Sequence, residues 1–250
     1  MILNTIKSKL FQLASFLILY GFAFAGMPVH AEGEAAAWGA HTATVMIDPG
    51  HGGMDSGAIA FNGQYEKDLT LDYALRIGGY IEALDPSIVV VYTRTDDSVN
   101  WVDESATMNF ELDDLNGRCA MVNAVCPDYL LCLHFNSAPD PSASGYEAFV
   151  KEGDVASAQV YGLMSEKFAQ AGYSYDLGLL STTECPLQMV DLVNSSSMLL
   201  ELGFLSNEGD VYALNDEGMK DSLCRSIAES YVETIHGAYA YYNLNSRHYT

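Results

Sequence analysis

Short apolar runs alternate with amphipathic segments along most of this 250-residue chain, and this alternation constrains the fold more than any other feature of the sequence. The runs of strand length cover 44–48, 87–93, 129–135, 145–150, 187–193 and 197–204. The segments with helical spacing cover 66–84, 114–125, 155–172 and 217–242. Because strands that alternate with helices form βαβ units, we expect an α/β fold: one domain with a twisted, mostly parallel sheet and helices on both faces.

The first 31 residues have the features of a signal peptide. Lys7 and Lys9 precede an apolar core over 10–26, and Val29-His30-Ala31 resembles a small-residue cleavage site. The apolar run is close to the length that spans a membrane, so an uncleaved anchor is the alternative. We expect export, with a leader (1–31), a linker (32–43), one folded domain (44–242) and a tail (243–250).

The chain is strongly acidic, with 33 Asp and Glu against 11 Lys and Arg and a formal net charge of −22. Removal of the leader takes away two basic residues and no acidic one, so the charge of the exported chain becomes −24. A surface of this sign repels phosphate backbones and anionic headgroups. Binding to nucleic acid or to an anionic membrane through bulk charge is therefore not expected.

A glycine-rich stretch, IDPGHGGMDSGA at 47–58, follows the first predicted strand. Either the glycines cradle a phosphate, or they free the backbone to place His51. A P-loop requires Gly-Lys-Ser/Thr, which is missing here, and a G-x-G-x-x-G fingerprint counted from Gly50 would end at Asp55. The stretch therefore indicates His51 as the reactive group, provided that it has partners elsewhere in the chain.

Three more polar residues are expected at the same edge of the sheet as His51. His134 ends the third predicted strand, Glu66 begins the first predicted helix, and Glu201 lies near the end of the last strand. Ligands of open parallel sheets bind beyond the carboxyl ends of the strands. Two histidines and a glutamate form a common catalytic zinc shell, and a second, unligated glutamate can act as general base and acid.

Each of the two glutamates could instead have a purely structural role. Glu66 could serve only as a favourable negative charge in the first turn of a helix. Glu201 lies in an apolar strand, where a carboxylate is costly unless it is paired or functional, and an ion pair with Arg118 would satisfy it. The residues alone leave both alternatives open.

Residues close to the two histidines in the sequence could also contribute to the metal site. Asp48 and Asp55 flank His51, and Asp48 is a reasonable acceptor for the imidazole, since zinc-bound histidines usually donate their other N–H to an oxygen. Cys132 lies two residues before His134, on the same strand face, and is a weaker candidate ligand. The five cysteines contain no C-x-x-C pair, so a cysteine zinc knuckle is not expected.

Four blocks of the sequence resemble, in the same order, those of the zinc-dependent N-acetylmuramoyl-L-alanine amidases of bacterial cell walls. The resemblance covers about residues 44–240. The first block carries His51 and the second carries Glu66. The third block runs to His134, and the fourth carries Glu201. In this sequence the blocks are DPGHGGMDSGA (48–58), YEKDLTLDYA (65–74), YTRTDD with NGRCAMVNAVCPDYLLCLHFNSA (92–97 and 116–138), and LLELGFLSNEGD (199–210).

The resemblance implies a site and a reaction. One zinc ion per chain would be held by His51, Glu66 and His134. Zinc would polarise the scissile carbonyl and activate water, and Glu201 would be the catalytic residue that carries the proton. The reaction implied is hydrolysis of the amide that joins the lactyl group of N-acetylmuramic acid to L-alanine in peptidoglycan.

The resemblance also bears on the surroundings of the site and on partners. Asp48, Arg118 and Asn136 would support the zinc ligands or bind substrate. Peptidoglycan is the expected partner, and nucleic acid is not. The enzyme is expected to be a monomer that acts outside the cell, in the wall or in the periplasm, without stable membrane insertion once the leader is cleaved.

Two of the departures from the family pattern concern the surroundings of the site. The acidic stretch 95–117 is longer than usual. The segment from His134 to Gly145 is too short for the long inserted helix that plugs the zinc site in some regulated members, so we expect an open site. Two other functions remain: another zinc peptidoglycan amidohydrolase or peptidase with a different bond choice, and a catalytically silent wall-binding module.

Overall fold

The computed structural model describes residues 42–246, so the predicted leader, most of the linker and the end of the predicted tail (247–250) lie outside the described residues. Its strands are β1 (Ala43–Pro49), β2 (Ile88–Tyr92), β3 (Tyr129–Asn136), β4 (Tyr146–Val150), β5 (Asp176–Ser181) and β6 (Ser196–Phe204). Its helices are α1 (Glu66–Leu84), α2 (Phe110–Val125), α3 (Val155–Ala171), the single turn α4 (Gln188–Asp191), α5 (Glu208–Asn215) and α6 (Glu217–Ser246). None of the helices within this range is both long enough and apolar enough to cross a membrane.

The strands form one sheet in the order β2-β1-β3-β6-β4-β5. Strand β1 pairs in parallel with β2 and β3, and β3 pairs in parallel with β6. Strand β4 runs antiparallel to β6, and β5 pairs in parallel with β4. The prediction of a mostly parallel sheet is confirmed, with one reversed pair of strands at one side.

Alternate residues of the central strands belong to two separate hydrophobic cores. Val45 and Ile47 of β1 face the larger core, which α1, α3 and α6 cover. Met46 and Leu130 face the smaller core, which α2 and α4 cover. Helices therefore lie on both faces of the sheet, as expected where parallel strands are buried on both sides.

The carboxyl ends of β1, β3 and β6 lie side by side at one edge of the sheet. In the β1–β3 register Asp48 is the partner of Cys132, and in the β3–β6 register His134 is the partner of Glu201. Glu147 of β4 lies opposite Glu201 on its other side. Because residues directly opposite each other share a face of the sheet, polar side chains from neighbouring strands are brought into one row.

The predicted strand at 187–193 is wrong, because the chain forms the helical turn α4 there. Asp191 accepts hydrogen bonds from the N–H of Leu187 and from the hydroxyl of Thr182, and these bonds close the turn. A short apolar run fits a helical turn as well as a strand. The sequence periodicity also misses β5 and α5; β5 lies at the sheet edge with mostly exposed side chains.

The acidic connection before α2 is shorter than predicted. Helix α2 begins four residues earlier, because the side chain of Asn109 accepts the N–H of Leu112 and caps the first turn. The indole N–H of Trp101 donates to Asp114, and the ring centroid lies 5.4 Å from the guanidinium carbon of Arg118. Trp101 therefore packs the acidic connection against α2.

Candidate metal centre and active site

Three potential metal ligands converge at the carboxyl-end edge of the sheet. Nε2 of His51 and Nδ1 of His134 each lie 3.1 Å from Oε1 of Glu66. The two imidazole rings meet edge to face, with 4.9 Å between their centroids. Within the part of the chain that the structure describes, these residues are the group whose histidine, cysteine or carboxylate ligand atoms all lie within 4.8 Å of one another. The structure thus brings together the three ligands expected from the sequence.

His51 lies on the loop after β1 in a left-handed backbone conformation, with φ of +62°. Its Nδ1–H donates to Oδ2 of Asp55 at 2.6 Å, which leaves Nε2 facing Glu66. Burial lowers the pKa of His51, but the hydrogen bonds to the two carboxylates more than offset this effect and raise the pKa to about 10. Carboxylates on both sides therefore fix the orientation of the ring.

Two glycines of the loop allow the ligands to approach one another closely. A Cβ atom at Gly50 would lie 2.2 Å from Cε1 of His134. A Cβ atom at Gly57 would lie 2.6 Å from Oε2 of Glu66 and from Cδ2 of His51. These separations are shorter than any van der Waals contact. The glycines therefore make room for the imidazoles and the carboxylate, so the glycine-rich stretch serves to place His51.

The two carboxylate oxygens of Glu66 have different partners. Oε2 accepts the N–H of Ala58 at 2.9 Å, whereas Oε1 faces both imidazoles and accepts the N–H of Phe135 at 3.0 Å. Burial raises the pKa of Glu66, but the hydrogen bonds from His134 and His51 outweigh it and hold the pKa below its ordinary value. Because the side chain is only 4% exposed and aimed at the histidines, Glu66 is more than a charge that favours a helix terminus.

Glu201 lies beside this cluster, next to His134 on β3 and to Glu147 on β4. Its Oε2 atom is buried and has no hydrogen-bond partner among residues 42–246. Burial raises the pKa of Glu201 to about 7, and the negative charges of Glu66 and Glu147 contribute to the rise. A carboxyl group with such a pKa can take up and release a proton near neutral pH.

The alternative in which Arg118 neutralises Glu201 is wrong. Arg118 is buried and pairs with Asp48 through Nη1 at 2.8 Å and with Asp114 through Nε at 2.9 Å. A further N–H of the guanidinium donates to the carbonyl oxygen of His51. The arginine therefore anchors the loop after β1 and is fully engaged away from Glu201.

Asp48, one of the two aspartates between which the sequence left the choice open, does not orient the imidazole of His51. Its Oδ1 atom accepts hydrogen bonds from Arg118 and from the hydroxyl of Thr93. Burial raises the pKa of Asp48, but the charge of Arg118 and the hydrogen bonds from Thr93 and Arg118 together outweigh it, and the pKa is lowered. Asp55 accepts the imidazole N–H in its place. Asp48 supports His51 indirectly, because it binds Arg118, which donates a hydrogen bond to the backbone carbonyl of His51.

Asn136 and Glu147 extend the polar row beyond the cluster. The amide of Asn136 donates to Oε1 of Glu147 at 2.8 Å, and burial raises the pKa of Glu147. Sequence reasoning missed Glu147, although it is the one acidic residue in the apolar run GYEAFV. Cys132 stands apart from the ligands, because its buried sulfur faces the carbonyl oxygen of Met189.

The three donors fit a zinc ion. Zinc binds imidazole nitrogen and carboxylate oxygen at about 2.0–2.2 Å, so neighbouring ligand atoms of a tetrahedral site lie about 3.3 Å apart. The two 3.1 Å separations found here are close to that spacing. A shell of two histidines and one glutamate leaves a fourth position open, as in catalytic zinc sites.

Comparison with known sequences identifies the family. A sequence profile described as N-acetylmuramoyl-L-alanine amidase matches residues 45–232. The germination-specific N-acetylmuramoyl-L-alanine amidase of Bacillus subtilis is 27% identical over 194 residues, which cover 73% of this chain and 76% of that protein. The N-acetylmuramoyl-L-alanine amidase CwlM of Bacillus licheniformis is 28% identical over 185 residues, which cover 74% of this chain and 65% of that protein.

Solved structures agree with the sequence match. The catalytic domain of the amidase CwlV from Bacillus (Paenibacillus) polymyxa is 27% identical, with a TM-score of 0.65 over 78% of this chain and 98% of that domain. The CwlD amidase of Clostridioides difficile, solved in complex with the GerS lipoprotein, shares the fold at 22% identity, with a TM-score of 0.69 over 78% of this chain and 98% of that one. The chain therefore belongs to the N-acetylmuramoyl-L-alanine amidase family.

Proposed function

We propose that this protein is a zinc-dependent enzyme that hydrolyses the amide between N-acetylmuramic acid and L-alanine in peptidoglycan. The observation that carries the proposal is the convergence of His51, Glu66 and His134 beside the buried carboxyl group of Glu201. Membership of the amidase family supports the choice of bond, since the relatives are named for this activity.

His51, Glu66 and His134 would hold the zinc ion through Nε2, Oε1 and Nδ1. When bound, zinc would polarise the amide carbonyl of the substrate and lower the pKa of the attacking water from 15.7 toward about 7. The protein keeps the ligand atoms in place. Asp55 fixes the ring of His51 through Nδ1, and the N–H of Ala58 holds the outer oxygen of Glu66.

Glu201 would carry the proton. Its carboxylate takes a proton from the attacking water and returns it to the leaving nitrogen, so that the C–N bond breaks and a carboxylic acid and a free amine are formed. The raised pKa of about 7 suits a group that must both accept and return a proton near neutral pH. The Oε2 atom, which has no partner among the described residues, is the atom proposed to meet the water.

The neighbouring polar residues would have supporting roles. Arg118 and Asp48 stiffen the loop that carries His51, since the arginine bonds both the aspartate and the carbonyl of His51. Asn136 and Glu147 lie beyond Glu201 in the same row, where we place a substrate contact.

The proposed substrate lies outside the cytoplasm, which agrees with the signal peptide predicted at 1–31. We propose an exported protein that acts on peptidoglycan in the wall or periplasm, as a monomer and without nucleic acid. The domain 44–242 would carry the whole activity. Sedimentation of the purified protein tests the monomer, and a stable dimer would contradict it.

Point variants test the assigned roles. Glu201→Gln should keep one zinc ion per chain and lose activity on purified peptidoglycan by about 10²-fold or more, because general acid–base catalysis contributes about that factor. His134→Ala should lose both zinc and activity. Glu208→Gln, at an exposed residue in the first turn of α5, is the matched control and should keep both. Metal analysis by mass spectrometry and release of soluble fragments give the two readouts.

The same experiment separates the alternatives. Full activity of Glu201→Gln would contradict the proposed proton transfer. A parent protein that binds peptidoglycan but holds no zinc and releases no fragments would favour the silent wall-binding module. Fragments cut within the stem peptide would favour another zinc peptidoglycan hydrolase.

A further inference from the structure

Arg94, just after β2, is buried among backbone oxygens. Its side chain is almost fully covered, with 4% exposed. Its Nε donates to the carbonyl of Pro49 at 3.1 Å, and its Nη2 donates to the carbonyls of Gly50 at 2.9 Å and Lys67 at 2.8 Å. Nη2 also lies 3.1 Å from the hydroxyl of Thr70. One guanidinium therefore donates to three backbone carbonyl groups, which it shares with Arg118 at Pro49 and with the hydroxyl of Thr70 at Gly50 and Lys67.

These carbonyl groups belong to the two segments that carry the first two metal ligands. Pro49 and Gly50 directly precede His51 on the loop after β1. Lys67 directly follows Glu66 in the first turn of α1. The arginine therefore joins the loop to the helix at the point where each presents its ligand.

Arg118 makes a different connection. It also bonds the carbonyl of Pro49, but its carboxylate partners are Asp48 on β1 and Asp114 on α2. It therefore ties the loop to the sheet and to α2, not to the helix that begins at Glu66. Arg94 is the buried cation that spans the gap between the two ligand-bearing segments.

We propose that Arg94 is a positioning residue of the metal centre, which sets the separation of His51 and Glu66 before the metal arrives. The inference rests on the proposed zinc function. A lysine cannot replace it fully, because an ammonium group lacks the planar fork of donors that reaches several carbonyls at once. Without the arginine, the bonds from one rigid group to both the loop and the first turn of the helix are lost, and the separation of the two ligand-bearing segments is less firmly fixed.

Variants at Arg94 should weaken zinc binding more than they weaken the fold. Groups that orient metal ligands from outside the coordination shell contribute about 10–100-fold to metal affinity. We expect Arg94→Gln to raise the zinc dissociation constant by at least about tenfold, with Arg94→Lys between this variant and the parent. Excess zinc should restore most of the turnover number, with the KM for peptidoglycan unchanged, because Arg94 is buried and not accessible to a substrate at the surface.

Lys220→Met is the matched control. Lys220 is also a buried cation, but it pairs with Asp72 at 2.7 Å between α1 and α6, away from the ligand loop. This variant should lower the melting temperature of the chelator-treated protein and leave the zinc dissociation constant unchanged. Both quantities are measured on the full chain, by competition for zinc with a chromophoric chelator and by thermal unfolding followed by circular dichroism.

The outcomes are distinct. A zinc dissociation constant of Arg94→Gln within about twofold of the parent would overturn the inference and leave the proposed function intact. The inference would also be overturned if Lys220→Met lost as much zinc affinity and as much melting temperature as Arg94→Gln. General destabilisation would then explain the loss of zinc affinity in both variants. A parent protein without zinc affinity would overturn the proposed function itself. Should Arg94→Gln fail to fold, Arg94→Lys takes its place with the same criteria.

Discussion

At the scale of single residues, the site depends on which aspartate meets the ring of His51. The sequence places Asp48 and Asp55 on either side of the histidine and does not choose between them. In the structure Asp48 is still part of β1 and its carboxylate is engaged by Arg118. Asp55 returns to the imidazole, because the chain reverses and Gly52 pairs with Asp55 across a short bridge. The conformation of the loop determines which aspartate contacts His51, and the residue types alone do not predict that conformation.

We predict that zinc binding releases protons. Carboxylates face both ring nitrogens of His51 and raise its pKa to about 10, so the ring carries two protons at neutral pH. Zinc at Nε2 must displace one of them, so about one proton leaves per zinc bound and zinc affinity rises with pH. Calorimetry in buffers with different ionisation enthalpies measures the release.

The control for this release is Asp55→Asn, which removes one of the two charges that raise the pKa of His51. Fewer protons should then be released at the same pH. A binding enthalpy that does not depend on the buffer, for the parent protein at neutral pH, would contradict the prediction.

We also predict that the difference in stability between the parent protein and Glu201→Gln depends on pH. The folded-state pKa of Glu201 is raised from 4.5 to about 7, so its contribution to stability is fully present below pH 4.5 and is lost as pH rises through 7. The neutral amide of Glu201→Gln carries no such penalty. In the presence of a chelator, the melting temperature of Glu201→Gln should therefore rise relative to the parent between pH 5 and pH 8. An unchanged difference across this range would show that the carboxyl group is not desolvated.

At the scale of secondary-structure elements, the segments that carry the site are the best predicted ones. Helix α1 covers the predicted 66–84, and β1, β3 and β6 agree with prediction to within one residue at each end. These elements have long or strongly apolar patterns, which fix their periodicity. The run 187–193 is interrupted by the polar residues Gln188 and Asp191. The side chain of Asp191 accepts hydrogen bonds from the N–H of Leu187 and from the hydroxyl of Thr182, which no periodicity shows, and the chain forms a helical turn there.

The close packing of the ligand-bearing elements gives a test at Gly57. Gly57→Ala should abolish zinc binding, because the added Cβ would lie 2.6 Å from both Glu66 and His51. Gly63→Ala is the control, since Gly63 also has a positive φ, of +86°, but has no heavy atom within 4 Å of the added Cβ. It should lose about 1–2 kcal/mol of stability from backbone strain and keep zinc. Equal zinc affinity of the two variants would contradict this account of the glycine.

At the scale of the whole molecule, the sequence predicts a mostly parallel sheet but not its reversed pair, β4 and β5. Strand direction does not appear in an alternating pattern. A signal was present in the connection 137–145, which is shorter than the dozen or more residues that a parallel crossover requires. The reversal matters for function, because it brings Glu147 opposite Glu201 and completes the polar row.

The central claim is that this row of residues cuts one particular bond, and mass analysis of digested peptidoglycan tests it most directly. Purified peptidoglycan is incubated with the zinc-loaded protein and with Glu201→Gln, and the fragments are separated and weighed. We predict intact glycan chains with free lactyl groups, and stem peptides that begin with a free L-alanine amine, from the parent only. Fragments cut within the stem peptide or within the glycan chain, or identical fragments from both proteins, would contradict the account.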